Sequence, residues 1–337
     1  MRNREIDRLK FFAALFIVYI HICLPGIAGE AVSAAARFGV PVFFISSGYF
    51  SYTAINNQDF SKLKKRILSL VKLFAVSFLL YILGYIVLNQ RSCIDNMIND
   101  LKDPVTYVKM FVFNLPVNTS FGHLWFILAL IYVYLATAAI MKFKVVRIFK
   151  YIPLLLIFTL FFFNIIMGKM EMEISPLLGR NFLMTGLPFF SVGYCLRSSD
   201  ICHIHNIKRY IYVGLLSGIV ILVLEFCFLN RKSELYFGSV LIAVSLFVLA
   251  LCRNEKCKSN SAGFELPLSD LSLYVYIGHI LACNVITEIS GLTGFADVSV
   301  FVWVKPVIST LVVILIYFVI YSIKKLFKKK HKALSKG

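Results

Sequence analysis

The feature that most constrains this chain is a series of apolar runs that are too long for a water-soluble fold. Residues 12–24, 67–88, 154–167, 212–229 and 307–321 carry almost no charge. A helix that crosses about 30 Å of hydrocarbon needs about 20 residues, which these runs supply with modest extensions. Apolar residues make up 59% of the chain and charged residues 15%, against roughly 45–50% and about 25% in soluble domains. We therefore expect an all-α, polytopic integral membrane protein.

The apolar runs divide the chain into about ten predicted transmembrane helices. Neither a low-complexity linker nor a break in composition separates them, so we expect one membrane domain over residues 1–337. The predicted spans are approximately 10–27, 38–56, 66–89, 122–141, 151–167, 179–197, 210–229, 237–252, 268–289 and 302–322, followed by a basic tail at 323–337.

The charge distribution predicts the orientation of these spans and argues against a nucleic-acid partner. If both termini are cytoplasmic, inner segments hold 26 of the 35 Lys and Arg residues, whereas only seven of the 17 acidic residues lie inside. This asymmetry is typical of multi-pass proteins of the bacterial cytoplasmic membrane. The net charge of +18 thus follows topology, and the basic tail is expected to contact anionic membrane lipids.

The cysteine and histidine spacing predicts no metal site. Eight cysteines are present, but most fall within or at the ends of the predicted spans, where a thiol packs as a small apolar group. Cys202, His203 and His205 cluster in a predicted inner loop. No second ligand pair has matching spacing, so we interpret this cluster as a solvated loop rather than a metal centre.

Two connections are longer than the others. The predicted outer connection, about 90–120, mixes acidic, amide and aromatic residues. Long loops are often functional, so this one is interpreted either as a partly ordered lid over an extracytoplasmic site or as a plain surface connection. The inner connection, 253–267, has the composition of a flexible spacer.

Polar residues within apolar spans are the best guide to function, because hydrocarbon penalises them unless they face a cavity or the protein interior. His21 lies in the first span, and Lys10 precedes it by eleven residues. Eleven residues at 100° each end about 20° beyond three full turns, so the two side chains share a helix face about 16 Å apart. With Arg8 nearby, this pattern suits attraction of an anionic donor at the inner end and proton handling deeper in. The structural alternative is an interhelical hydrogen bond with ordinary cytoplasmic anchoring.

His279 places a second imidazole near the middle of the ninth span, so a polar cavity shared with the first span is predicted. Arg180 and Glu225 are candidates to line or close it, although snorkelling to the interface is the favoured interpretation of the arginine. His123 and Trp125 open the fourth span at its outer end. Contact with an extracytoplasmic acceptor and simple interfacial anchoring both remain open for this pair.

The run from Arg37 to Phe50 begins the second span. Its Pro41 is tolerated near a helix start, where its missing N–H is not needed. Ser46, Ser47 and Gly48 are small enough to let a neighbouring helix or a substrate approach the backbone. Packing is the favoured interpretation of this motif, with a cavity wall as the alternative.

At these residues the chain resembles the acyltransferase family 3 of membrane proteins. That family includes O-acetyltransferases of bacterial surface polysaccharides and the membrane domain of serine racemases linked to glycopeptide resistance. The resemblance runs in order over nearly the whole chain, through Ile6 to Lys10 with His21, Arg37 to Tyr49, His123 to Trp125, Leu187 to Phe190 with Gly193 and Tyr194, and Tyr276 to His279.

The resemblance implies about ten spans and transfer of an acetyl or similar group from cytoplasmic acetyl-CoA to an envelope glycan or lipid-linked acceptor outside. Family members usually carry a basic residue, often Arg, at the position of Lys10. Lysine keeps the charge but lacks the planar fork that grips phosphate at two points. The segment around Ser47 to Tyr49 also resembles the racemase-associated branch, but the 337 residues contain no racemase domain, which disfavours that role.

These expectations combine into a membrane O-acyltransferase, with acetyl-CoA as donor and no metal. Arg8 and Lys10 are assigned to donor phosphates, and His21 to general-base or acyl-carrier chemistry with support from His279. The acceptor side is assigned to His123, Trp125 and Arg180. The main alternative is a transporter or translocation module for a serine-like solute. A scaffold in envelope assembly is a third possibility, although a scaffold needs no buried histidines.

Overall fold

The computed structural model describes residues 3–114, 119–160, 162, 166, 179–199, 201–229, 233–256, 267–295 and 298–334. Of the described residues, 87% are helical, and none lies in a β-strand. The all-α class predicted from the apolar runs is therefore confirmed.

The first helix, α1, runs from Arg4 to His21 and is capped by the side chain of Asn3, which accepts the N–H groups of Glu5 and Ile6. It starts and ends earlier than the predicted span 10–27. Pro25 explains the early end, because its ring would clash with the carbonyl four residues back, which is that of His21. The chain instead breaks and forms two further helices, α2 (Gly26–Ala36) and α3 (Gly39–Asn56).

The remaining long helices overlap the predicted spans, and shorter helices connect them. The long ones are α4 (Phe60–Val87), α7 (Trp125–Lys142), α10 (Ile207–Phe228), α11 (Phe237–Lys256), α12 (Leu268–Thr293) and α13 (Ser299–Leu334). The short ones are α5 (Arg91–Lys102), α6 (Pro104–Phe113), α8 (Leu154–Leu160) and α9 (Leu187–Ser198), with 3₁₀ turns at Thr119–Leu124, Val146–Lys150 and Ile201–His203 and a π turn at Phe182–Gly186.

Six helical segments among the described residues are long and apolar enough to cross a membrane, by length and composition. They are Gly26–Asn56, Phe60–Val87, Phe121–Lys142, Ile207–Phe228, Leu268–Thr293 and Ser299–Phe327. Of the other predicted spans, 10–27 overlaps the charged helix α1, 179–197 overlaps the short helix α9, and 237–252 overlaps α11, whose apolar part is Phe237–Arg253. The span 151–167 lies partly outside the described residues. Ten crossings and cytoplasmic termini stay predictions.

The sequence allowed two interpretations of the long connection 90–120, a lid over a site or a plain surface loop. In the structure this connection contains two helices, α5 and α6. Gln90, just before α5, donates to the Glu288 carboxylate of α12 at 2.9 Å. Asn114, fully buried after α6, donates to the backbone oxygen of Arg180 at 3.2 Å and accepts the N–H of Phe182 at 2.7 Å. These bonds tie the connection to two distant parts of the chain. Most of the inner connection 253–267 lies outside the described residues.

Helices α3 and α9 pack backbone to backbone through two glycines. A Cβ atom on Gly48 would lie 1.8 Å from the backbone oxygen of Phe190, and one on Gly193 would lie 1.9 Å from that of Ile45. Neither position tolerates a side chain without movement of a helix, so the small residues here permit close helix contact. The start of α3 packs against α1 at a separate contact, where a Cβ on Gly39 would lie 2.9 Å from the Ile17 side chain.

Candidate functional site

Three histidines from distant parts of the chain meet in one cluster. His21 is the last residue of α1, His123 lies in the 3₁₀ turn before α7, and His279 lies in the middle of α12. Their ring centroids are 5.3 Å apart for His21 and His279, 5.8 Å for His123 and His279, and 6.2 Å for His21 and His123. We call these residues the histidine cluster.

The backbone of α12 fixes the orientation of His279. Its Nδ1 lies 3.0 Å from the backbone oxygen of Val275. A carbonyl oxygen can only accept, so in this hydrogen bond Nδ1 carries the hydrogen and Nε2 of the neutral ring keeps a lone pair. Nε2 is buried without a hydrogen-bond partner among the described residues. The ring therefore presents a basic nitrogen to the cluster.

Two tyrosines position His123, which is only 2% exposed. The Tyr276 hydroxyl donates to its backbone oxygen, and the Tyr81 ring lies 4.6 Å from its imidazole. Tyr81 itself is held by donating its hydroxyl to the backbone oxygen of Ile277 at 2.6 Å. Within the described part of the chain, neither ring nitrogen of His123 has a hydrogen-bond partner. Since unpaired buried polar groups are costly, these nitrogens are candidates to meet a ligand.

A narrow cavity of about 40 Å³ opens beside His21. Such a volume holds a small polar group or a few water molecules. Trp125, 7% exposed, forms part of its wall and packs against Phe44 with ring centroids 6.2 Å apart. The other lining residues are Ile17, Ile20, Arg37, Val40, Pro41, Gly179, Arg180, Thr185, Glu234 and Leu235.

An ion-pair network forms the charged wall of this cavity. Glu234 accepts from Arg37 at 2.7 Å and from two nitrogens of Arg180 at 2.8 and 3.1 Å. Burial alone would raise the pKa of Glu234, but the two guanidinium groups outweigh that effect and hold its pKa below the ordinary value. The sequence favoured an Arg180 side chain that extends to the membrane interface. In the structure Arg180 is instead paired with Glu234 inside the protein. We call these three residues the arginine clamp.

The two residues assigned to the donor lie toward the other end of α1. Arg8 is largely exposed and pairs with Glu5 at 2.6 Å. Lys10 is mostly covered, lies 3.5 Å from the Asp7 carboxylate and donates to the Ser269 hydroxyl at 3.0 Å. Because Lys10 and His21 lie on one continuous helix, they remain about 16 Å apart along its axis.

The remaining predicted site residues lie away from this cavity. Ser46 is buried in α3, Ser47 donates to the Phe43 backbone oxygen at 2.9 Å, and Gly48 packs against α9 as described above. Glu225 accepts the N–H groups of Phe237 and Gly238 at 2.9 Å each, so its carboxylate caps the start of α11. Its charge there suits the positive end of a helix dipole.

No group of three His, Cys, Asp or Glu side chains in the described ranges is arranged to hold a metal ion. Cys202, which precedes His203 in the 3₁₀ turn Ile201–His203, instead lies next to Cys252 of α11, with the two sulfur atoms 2.7 Å apart. The absence of a metal from the chemistry stays a prediction.

Four residues that the site uses were not among the predicted site residues: Tyr81 and Glu234, and also Arg37 and Tyr276, which were named only as parts of longer motifs. Tyr81 sits in an apolar run with Tyr85 four residues later, a spacing that places both rings on one helix face. Glu234 lies just before the eighth predicted span, at the same predicted end of the bundle as Arg37 and Arg180. Glu234 is an acidic residue at the same predicted end of the bundle as these two arginines, and this placement could have indicated an ion pair.

Comparison with known proteins gives one family. A family model described as an acyltransferase domain, that of acyltransferase family 3, matches residues 3–323. No curated protein and no solved structure matches significantly. The matched range contains the histidine cluster, the cavity and the arginine clamp.

Proposed function

The chain belongs to acyltransferase family 3, and from that membership we propose that it is an O-acetyltransferase of the cell envelope. It takes an acetyl group from cytoplasmic acetyl-CoA and delivers it to a hydroxyl of an extracytoplasmic glycan or lipid-linked acceptor. The protein crosses the bacterial cytoplasmic membrane about ten times with both termini inside. The family and the six apolar helices support a membrane acyltransferase, and the donor, acceptor and topology are the proposed part.

The histidine cluster carries this proposal. Acyl transfer in a water-filled passage needs a general base deep in the membrane. Imidazole is the side chain best suited to exchange a proton near neutral pH. Three rings within 6.2 Å of one another supply such a base and a neighbour to share the proton. Among the described residues Nε2 of His279 has no hydrogen-bond partner, and His21 lies on the cavity wall; both observations support these two residues as catalytic.

Two routes use this geometry. In the first, His21 removes the proton from the acceptor hydroxyl, whose oxygen attacks the thioester carbonyl carbon. The C–S bond then breaks, and the leaving thiolate takes the proton from the imidazolium. In the second, a ring nitrogen of His21 attacks the thioester carbonyl carbon, the C–S bond breaks, and the thiolate leaves with the hydrogen of the other ring nitrogen. The acceptor hydroxyl then attacks the acyl-imidazole while Nε2 of His279 accepts its proton, the C–N bond breaks, and His279 returns the proton to His21.

The donor enters from the end of α1 that carries Arg8 and Lys10. The phosphates of coenzyme A sit at one end of a long flexible arm and the thioester at the other, which suits cations and an imidazole separated by about 16 Å. The exposed Arg8 exchanges its contact with Glu5 for a phosphate at little cost, because exposed ion pairs are weak. His123, Trp125 and Arg180 form the acceptor side of the passage.

Replacement of His21 with Ala tests the proposal. Loss of a general base typically lowers the rate by about 10²–10⁴-fold, so we expect O-acetylation of envelope glycans, measured by mass spectrometry at matched membrane abundance, to fall near background. His205→Ala is the matched control, because His205 is an exposed histidine outside the cavity. Undiminished acetylation in the His21 variant would remove this residue from the mechanism.

A second assay separates the enzyme from the transporter alternative. Purified protein in lipid nanodiscs should release coenzyme A from acetyl-CoA in the presence of acceptor, whereas a transporter should move labelled serine into liposomes without consuming acetyl-CoA. Serine uptake that survives without any acetyl-CoA turnover would refute the proposed function.

A further inference from the structure

The arginine clamp leaves an excess of positive charge at the cavity. Two guanidinium groups share the single carboxylate of Glu234, so the group carries a net charge of +1. The side chains of Arg37 and Arg180 are 15% and 27% exposed, and both line the cavity that His21 also lines. The unbalanced charge therefore faces the space into which a substrate enters.

The clamp also leaves most of its hydrogen-bond donors available. An arginine side chain has five N–H donors, and the contacts of the described residues use one nitrogen of Arg37 and two of Arg180. Arg180 holds Glu234 through both carboxylate oxygens on its own. Arg37 thus engages fewer of its donors than Arg180 in the contacts of the described residues.

An ion pair whose role is only structural would not require the second arginine. A single Arg–Glu pair is neutral, whereas an added cation in a partly buried place costs free energy unless an anion balances it. Guanidinium groups bind carboxylates through paired, parallel hydrogen bonds. A cavity of about 40 Å³ accommodates one such group while the rest of the molecule stays outside.

We propose that the cavity selects an acidic acceptor, a sugar whose carboxylate binds Arg37 and Arg180 and so directs its hydroxyl toward His21. This inference rests on the proposed function and specifies the chemical class of the acceptor. When the acceptor binds, its carboxylate neutralises the net charge of +1 on the arginine clamp. Acceptor binding therefore supplies the negative charge that the free cavity lacks.

Matched acceptors test the proposal in the wild-type protein. Purified protein in nanodiscs receives labelled acetyl-CoA and either a uronic-acid oligosaccharide or the same oligosaccharide after chemical reduction of its carboxyl groups to alcohols. A charge-assisted hydrogen-bond pair corresponds to a preference of about tenfold to a hundredfold in kcat/KM for the acidic form. Equal use of the two acceptors would overturn the inference while leaving the proposed function intact. No transfer to either one, with no acetyl-CoA turnover, would overturn both.

Variants then assign the preference to the clamp. Arg37→Gln should bring the ratio between acidic and reduced acceptors close to one, mainly through KM for the acidic form, and Arg37→Lys should retain part of the ratio. Arg197→Gln is the matched control, because Arg197 lies on α9 with its guanidinium 2.9 Å from the Tyr49 hydroxyl and does not line the cavity. It should keep the wild-type ratio. An unchanged ratio in Arg37→Gln, with a monodisperse size-exclusion profile, would contradict the assignment, and Arg180→Gln provides an independent test if that variant fails to fold.

Discussion

The close contact between α3 and α9 allows a quantitative prediction of how much stability is lost when Gly48 or Gly193 is replaced with alanine. A Cβ on Gly48 would lie 1.8 Å from the Phe190 backbone oxygen, whereas real Cβ contacts are essentially never shorter than 3.0 Å. The helices must therefore separate by more than about 1 Å in Gly48→Ala, and the same holds for Gly193→Ala. Overpacking typically costs about 1–3 kcal/mol. A backbone oxygen cannot rotate aside, so we expect the upper end of this range.

A destabilisation of about 3 kcal/mol corresponds to a drop in apparent melting temperature of about 6 °C, at about 2 °C per kcal/mol for a chain of this size. Thermal unfolding in detergent, followed by fluorescence-detected size-exclusion chromatography, measures this shift. Because Val40 and Pro41 in the first turn of α3 line the cavity, acetyl transfer should fall as well.

Gly291→Ala is the matched control. A Cβ at this position of α12 has no neighbour within 4 Å in the described part of the chain, and alanine favours helix by about 1 kcal/mol over glycine. Its melting temperature should stay unchanged or rise slightly. If Gly48→Ala and Gly193→Ala melt within about 1 °C of the wild type, the close backbone packing inferred for α3 and α9 is wrong.

Two further predictions concern the arginine clamp and the histidine cluster. Glu234→Gln should lower stability at pH 7 by about 1–3 kcal/mol, because it leaves two cations without their carboxylate. Since the pKa of Glu234 in the folded protein lies below its ordinary value, the carboxylate stabilises the fold above about pH 4.3, and this contribution is lost as the pH falls through the folded pKa. Melting curves should thus converge for variant and wild type toward low pH, and a constant difference would contradict this. Tyr276→Phe removes the hydrogen bond to the His123 backbone oxygen and should slow acetyl transfer about tenfold. Tyr107→Phe, at an exposed hydroxyl on α6, is the control, and equal rates in the two variants would argue against a positioning role.

The helices were largely predictable from the sequence because long apolar runs have few stable alternatives in a membrane. The predicted span 38–56 coincides with α3 to within one residue, and 210–229 with α10 to within three. Helix α1 begins and ends six residues before the predicted span 10–27. Its C-terminal limit was readable from Pro25, since proline excludes helix from the preceding turn, but continuous hydropathy from α1 into α2 masked the break.

The convergence of the three histidines could be predicted only in part. His21 and His279 were expected to share a cavity because each is a buried imidazole in an apolar span. His123 was assigned to the acceptor side from its place at the start of a span. Its position beside the other two depends on the Tyr276 and Tyr81 hydrogen bonds, which join elements far apart in sequence. Periodicity along one helix contains no information on such contacts.

The polar groups of the site divide into those that the protein satisfies and those that it leaves open. The hydroxyl groups of Tyr81 and Tyr276 both donate to backbone oxygens, as buried polar groups normally do. Beside them, Nδ1 and Nε2 of His123 and Nε2 of His279 are buried without a partner in the described residues. Histidines kept for packing alone would be expected to use these nitrogens, because an unsatisfied buried acceptor costs about 1–3 kcal/mol. The cluster tolerates this cost at three atoms, all next to the one histidine that lines the cavity. Under the proposed function, a substrate hydroxyl, a thioester or a transferred proton that occupies these nitrogens during turnover would offset this cost.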